Sequence, residues 1–120
     1  MSRLSVECGL GGAIINGLTR DTYYTQDIDF PVFAKGYSPK DIKGRGRVGE
    51  VDSELDIDGV KVNTGDYVFG DSDAVVFIPS YVFDELLPKI NEGAKEEFII
   101  KQMISEGKSL KDILKITKSF

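Results

Sequence analysis

Arg20 and Asp21 close the stretch Gly9-Leu-Gly-Gly-Ala-Ile-Ile-Asn-Gly-Leu-Thr-Arg-Asp21, in which a glycine-rich turn and a short apolar run lead to a cation beside an anion. A guanidinium fork matches a carboxylate through two parallel hydrogen bonds. A carboxylate next to it can hold a divalent cation, and such a cation can polarise an adjacent carbonyl. In this use Arg20 grips a substrate carboxylate and Asp21 is the metal ligand. On the pair alone a plainer use is the commoner one: Asp21 caps a helix by accepting from its orphan N–H groups, and Arg20 pairs with a surface acid.

Composition narrows the chemistry further. A chain of 120 residues supports one hydrophobic core, so a single domain spanning 1–120 is expected. With no histidine and one cysteine, Cys8, the Ser-His-Asp and Cys-His mechanisms are excluded, as are His-ligated zinc and thiolate clusters. A metal here must take oxygen ligands, which favours Mg²⁺, Mn²⁺ or Ca²⁺. The net charge of −5 argues against nucleic acid as the main partner. No apolar run approaches the ~20 residues of a membrane span, and Met1 to Glu7 lack the apolar core of a signal peptide. A lone cysteine is consistent with a reducing compartment, so a cytoplasmic protein away from the membrane is expected.

The elements that must position the pair follow from pattern. The first eight residues read as the last turns of a helix, broken by Gly9, Gly11 and Gly12, and Ala13 to Ile15 as a short buried strand. Thr19 or Asp21 can cap a short helix to about Asp27. Phe30 to Ala34 reads as a second strand with Pro31 at its entrance, and Gly36 to Arg47 as loop. Val51, Ser53, Leu55 and Ile57 alternate with acids from Glu50 to Asp58, which predicts a strand with an acidic face; Asp58-Gly59 predicts a hairpin into Val60-Lys-Val62. Tyr67 to Phe69 follows, and Ala74 to Ile78 is a continuous apolar run suited to a central strand. Val82, Phe83, Leu86, Leu87, Ile90, Ala94 and Phe98 recur at helical spacing, so a long helix runs to about Ser105, with Pro88 implying a kink and Gly107 the stop. Ser109-Leu-Lys-Asp112 resembles a capping box for a last short helix. The order is a β-rich core followed by C-terminal helices, an α+β class.

Three other features suggest chemistry. Glu54-Leu-Asp-Ile-Asp-Gly59 resembles the first half of a calcium loop, but Gly65 stands where the closing bidentate Glu is required. Lys35, Lys40, Lys43, Arg45 and Arg47 form a basic cluster broken by Asp41, without the spacing of a phosphate loop, and read as a solvated loop. Cys8 has no activating neighbour in sequence.

The motif from Gly9 to Asp21, with Phe30-Pro-Val-Phe-Ala-Lys-Gly36, Ser38-Pro39, Gly44-Arg-Gly-Arg-Val48, Asp58-Gly-Val-Lys-Val62, Gly65-Asp66 and Asp71-Ser-Asp-Ala-Val-Val-Phe-Ile-Pro79, occurs in the order and spacing of one family. Together these segments resemble the 4-hydroxy-4-methyl-2-oxoglutarate aldolases, the RraA-like family that also contains the regulator of ribonuclease E activity. The resemblance implies a swivelling β/β/α fold, trimers or hexamers, and class II aldolase chemistry. There a divalent metal (Mg²⁺ or Mn²⁺) and an arginine bind a pyruvate-like unit and stabilise its enolate, and many members also decarboxylate oxaloacetate. By that match Asp21 is the metal ligand, Arg20 contacts the carboxylate and keto oxygen of a small 2-oxo acid, and both act in catalysis or binding. The second class implied is a non-catalytic regulator using the same scaffold against a protein partner.

The chain also departs from the pattern. The acid that the family places about twenty residues before the Arg-Asp pair falls ahead of Met1, an alternative acid position holds Tyr24, and Asn16 stands where the family often has Asp. On that count the expected fold is the C-terminal portion of the family domain, N-terminally truncated, with weak or no turnover as a short chain.

Overall fold

In the computed structural model, residues 1–116 are described, and their contacts divide the chain into two compact units, Met1–Pro79 and Ser80 onward. Helices and strands mix in an α+β arrangement. In the first unit they run α1 (Ser2–Glu7), β1 (Ala13–Thr19), α2 (Thr22–Asp27), β2 (Val32–Tyr37), β3 (Leu55–Ile57), β4 (Val60–Val62), β5 (Tyr67–Gly70) and β6 (Val75–Ile78). The second unit holds α3 (Ser80–Ser105) and α4 (Leu110–Ile116).

Glycine ends α1 for a definite reason. Gly9 takes φ 77°, and the N–H groups of Gly9 and Leu10 donate back to the carbonyls of Val6 and Ser5 at 2.8 and 3.0 Å. This is the paired C-terminal bonding that a left-handed residue permits. The chain then enters β1, which pairs in parallel with β2 from Ala13↔Val32 to Thr19↔Tyr37. Two parallel neighbours need a crossover, and α2 supplies it. Phe30, 5% exposed, anchors the join between α2 and β2.

The register slips between Ile15 and Leu18, at Asn16-Gly17. Asn16 uses that irregularity to donate from Nδ2 to the carbonyl of Asp56 in β3 at 3.0 Å. An aspartate at this position could not donate, so the Asn that departs from the family pattern ties the β3–β4 hairpin to β1. Lys35 of β2 makes a second tie, an ion pair with Asp58 in the hairpin turn.

Several expectations from the pattern need correction. The strand predicted over the Glu50–Asp58 ladder is only Leu55–Ile57: Asp52 takes φ 63°, which breaks extended pairing, and its carboxylate accepts from the Thr64 hydroxyl. Val51 is accordingly exposed. The second strand starts after Pro31 and runs three residues past Ala34, because pairing with Leu18 and Thr19 keeps Gly36 and Tyr37 extended. The Ala74–Ile78 run is not central among the described residues; β6 pairs with β5 alone, antiparallel, from Tyr67↔Ile78 to Gly70↔Val75. The hairpin at Asp58-Gly59 forms as read, both residues taking positive φ.

In the second unit α3 continues through Pro88 and ends at Gly107, φ 70°, where Gly107 and Lys108 donate to Ile104 and Met103 at 3.0 Å. Ser109 caps α4 with its side chain: the Asp112 N–H donates to Ser109 Oγ at 3.3 Å, which is one half of a capping box, and the hydroxyl itself donates to Asp112 Oδ2 at 2.6 Å. Among the described residues of this unit, Ile113 is the buried one. Among the described residues no helix is long and apolar enough to cross a membrane.

Candidate functional site

Parallel pairing decides what lies beside Arg20. Because Thr19 pairs with Tyr37, the two strands finish level, and the Ser38 N–H donates to the Thr19 carbonyl at 2.9 Å. The chain after β1 and the chain after β2 therefore leave the sheet side by side. Arg20 and Asp21 come from the first, and Asp41 from the second. Ligands of open α/β sheets bind beyond the carboxyl ends of the strands for the same geometric reason.

Asp21 occupies the N-cap position of α2 in the left-handed conformation, φ 59° and ψ 35°, and its side chain makes no capping hydrogen bond. The capping role read from the sequence is thus not what this side chain does. Its Oδ2 lies 3.3 Å from Arg20 Nε instead. On the other side, Arg20 Nη2 lies 3.6 Å from Asp41 Oδ2. All three side chains are substantially exposed, so each pair by itself is worth little in stability. Their value is in placing charge.

Asp41 escaped notice in the sequence except as an interruption of the basic cluster. Its carboxylate is fixed locally: Oδ1 accepts from the Lys43 N–H at 3.0 Å, an Asx turn, and the Arg45 guanidinium donates to its carbonyl at 3.4 Å. The Lys43 N–H and then the Arg20 guanidinium hold the Asp41 carboxyl below the usual carboxylate range. Only the strand register shows that it meets Arg20; the Asx-turn signal Asp-Ile-Lys shows at most that its carboxylate is held.

These residues border an open cleft of about 1090 Å³ within the first unit, lined also by Tyr24, Thr25 and Phe30. Its charged lining is Arg3, Arg20, Lys40 and Arg45 against Asp21 and Asp41. A chain of net charge −5 thus presents a cleft with an excess of cations, which suits a small anion.

The other sequence features resolve structurally. Asp56, from the calcium-like stretch, accepts from the Gly59 N–H at 2.8 Å and pairs with Lys61 at 3.3 Å across the hairpin. The Gly59 N–H, followed by Lys61, lowers the Asp56 pKa, and Asp56 with Glu54 raises that of Lys61. Cys8 is exposed at the end of α1. Among the described residues no three acidic or cysteine side chains converge as a ready-made cation cage. The donor set at the pair, one exposed carboxylate, fits a hard cation such as Mg²⁺ or Mn²⁺ that keeps most of its water.

Residues 1–77, nearly the whole first unit, match the family model described as RraA-like: Aldolase/RraA. The chain belongs to the RraA-like family. An uncharacterized protein of Methanocaldococcus jannaschii is 36% identical over 112 residues, 90% of this chain and 51% of that protein. The 4-hydroxy-4-methyl-2-oxoglutarate aldolase of Thermus thermophilus is 32% identical over 79 residues, 66% of this chain and 48% of that enzyme. Among solved structures, an uncharacterized protein from Pseudomonas syringae pv. tomato superposes with a TM-score of 0.89 at 26% identity, over 94% of this chain and 56% of its own. The chain thus spans about half the length of these relatives. The family and the α+β class read from the motifs are borne out.

The Asp41 arrangement predicts a pH response. Its pKa is depressed in the fold, so its contribution is present above the pKa of a free aspartate, about pH 4, and fades as pH falls through the lower folded value. Carboxyl-detected NMR titration should give Asp41 a midpoint below that of a solvated aspartate. Arg20→Ala should raise it only part of the way, because the Lys43 N–H remains. An unchanged midpoint in that variant would show that Arg20 does not reach Asp41.

Proposed function

We propose that this chain carries the arginine-and-cation half of a site for 2-oxo acids, in a lyase of the aldolase or oxaloacetate decarboxylase type. The observation that supports this most is the direction of the Asp21 carboxylate. A mere helix cap would bond to the N–H groups of α2, whereas Asp21 turns to Arg20 at the mouth of a cation-rich cleft. The T. thermophilus relative is named for a reaction on a 2-oxo acid, which is consistent with that placement.

The chemistry such a site must manage is charge. Breaking the bond to C3 of a 2-oxo acid leaves an electron pair that delocalises onto the 2-oxo oxygen. Arg20 binds the carboxylate and orients the oxo group, and its fixed positive charge favours the developing anion without rearranging. Asp21 would hold Mg²⁺ or Mn²⁺, which when bound supplies Lewis-acid stabilisation at that oxygen. Asp21 also pairs with Nε of Arg20, which couples the charges of the two residues.

Asp21 is tested by titrating Mn²⁺ while following water proton relaxation. With one protein carboxylate and water in the other positions, affinity should be weak, on the order of millimolar. Asp21→Asn should abolish most of the enhancement while leaving the unfolding midpoint nearly unchanged, since no cap is lost. Superimposable curves for the two proteins would reject Asp21 as a ligand.

A homo-oligomer, trimeric or hexameric, completes this reading. The chain exposes 10214 Å², whereas two compact bodies of these sizes, counted separately, would expose about 7,700 Å² in total. The excess includes Tyr67, Val68, Phe69 and Val76 of the β5–β6 pair, about half exposed or more. Apolar side chains exposed together on one strand pair favour association. Light scattering at tens of micromolar protein should give a mass of at least three chains, and a folded monomer at that concentration would contradict it.

A further inference from the structure

We infer that Asp41 is a positioning residue for Arg20, holding its guanidinium in one orientation at the cleft; the inference rests on the reading of Arg20 as the anion grip. The contacts are specific to one edge of the side chain. Asp21 Oδ2 meets Nε at 3.3 Å and Asp41 Oδ2 meets Nη2 at 3.6 Å. Nε and Nη2 lie on the same side edge of the guanidinium, so the two carboxylates flank that edge. Nη1 takes part in neither contact and is left to an incoming carboxylate.

An arginine carries large rotamer entropy, which must be lost when it grips a ligand. A carboxylate that is itself rigid can remove that entropy beforehand. Asp41 meets this condition without Arg20. Its Oδ1 is held by the Lys43 N–H, its carbonyl by Arg45, and the start of its loop by the Ser38–Thr19 backbone bond. Asp21 alone, adjacent in sequence, attracts one nitrogen and leaves rotation about it; a second point of attraction, from a loop twenty residues on, opposes that rotation.

The opposite role for the same acid is that of a bystander charge, which would weaken anion binding by repulsion. The two roles give opposite signs. Oxalate, a small dianion, is titrated without added metal into wild type, Asp41→Asn and Asp41→Glu, and binding is followed by shifts of the Arg20 side-chain NMR signal. Positioning predicts that Asp41→Asn weakens oxalate binding about two- to fivefold, the range open to an exposed ion pair, and that Asp41→Glu restores part of it. Equal or tighter binding by Asp41→Asn would overturn the inference.

A second readout stands apart from ligand binding. The ¹⁵N heteronuclear NOE of Arg20 Nε in the free protein should be high in wild type, fall in Asp41→Asn and recover in Asp41→Glu. An Nε equally ordered in all three overturns the positioning role even if oxalate does not bind. If Arg20→Ala leaves oxalate binding unchanged when it is followed by backbone amide shifts around the cleft, the reading of Arg20 as the anion grip fails, while the order measurement still decides whether Asp41 holds it.

Discussion

The level ending of β1 and β2 is the constraint on which the site depends. Had these strands paired antiparallel, the residues after Thr19 and after Tyr37 would lie at opposite ends of the sheet. Parallel register puts them together, and the Ser38–Thr19 bond carries the pairing one step beyond the strands. Arg20 and Asp41 are thereby neighbours in space though separated by a helix, a strand and two turns. The crossover helix α2 is short because it only has to return the chain to the start of the next strand.

Charge placement follows from that framework. Two acids of the Glu50–Asp58 stretch are engaged within the hairpin, Asp56 on a turn N–H and Lys61, and Glu54 on Lys61, while Asp58 pairs with Lys35 of β2. Asn16 and Lys35 fasten that hairpin to the β1–β2 sheet from two adjacent strands. What remains near the strand ends is a cleft richer in cations than the chain as a whole. A negatively charged protein can therefore still offer an anion a favourable local field, within the roughly 10 Å over which salt leaves it unscreened.

Much of this was legible in the sequence where local chemistry decides. The stops at Gly9 and Gly107, the hairpin at Asp58-Gly59 and the Ser109 cap of the last helix each depend on residues within a turn of one another, and each forms where it was read. The Arg20-Asp21 pair was visible because the two are adjacent. Legibility failed where partners are distant or where one backbone angle overrides a pattern. Period-2 alternation suggested a long strand, yet Asp52 at φ 63° ends it. The apolar Ala74–Ile78 run looked central, yet its pairing among the described residues is one-sided, a matter of topology that composition does not encode. Asp41 was hidden in a basic loop, since only strand register brings it to Arg20.

Arg20 and Asp21 are proposed to work as one charged unit on the oxo-acid end of a ligand. Proton exchange at the methyl group of pyruvate in D₂O reads this most directly, because it reports charge stabilised at the 2-oxo oxygen without requiring bond cleavage. Loss of the methyl signal by ¹H NMR should be faster with protein and Mg²⁺ than with Mg²⁺ alone, and should fall to the protein-free rate in Arg20→Ala. Exchange that the protein accelerates equally with and without Arg20 would contradict it.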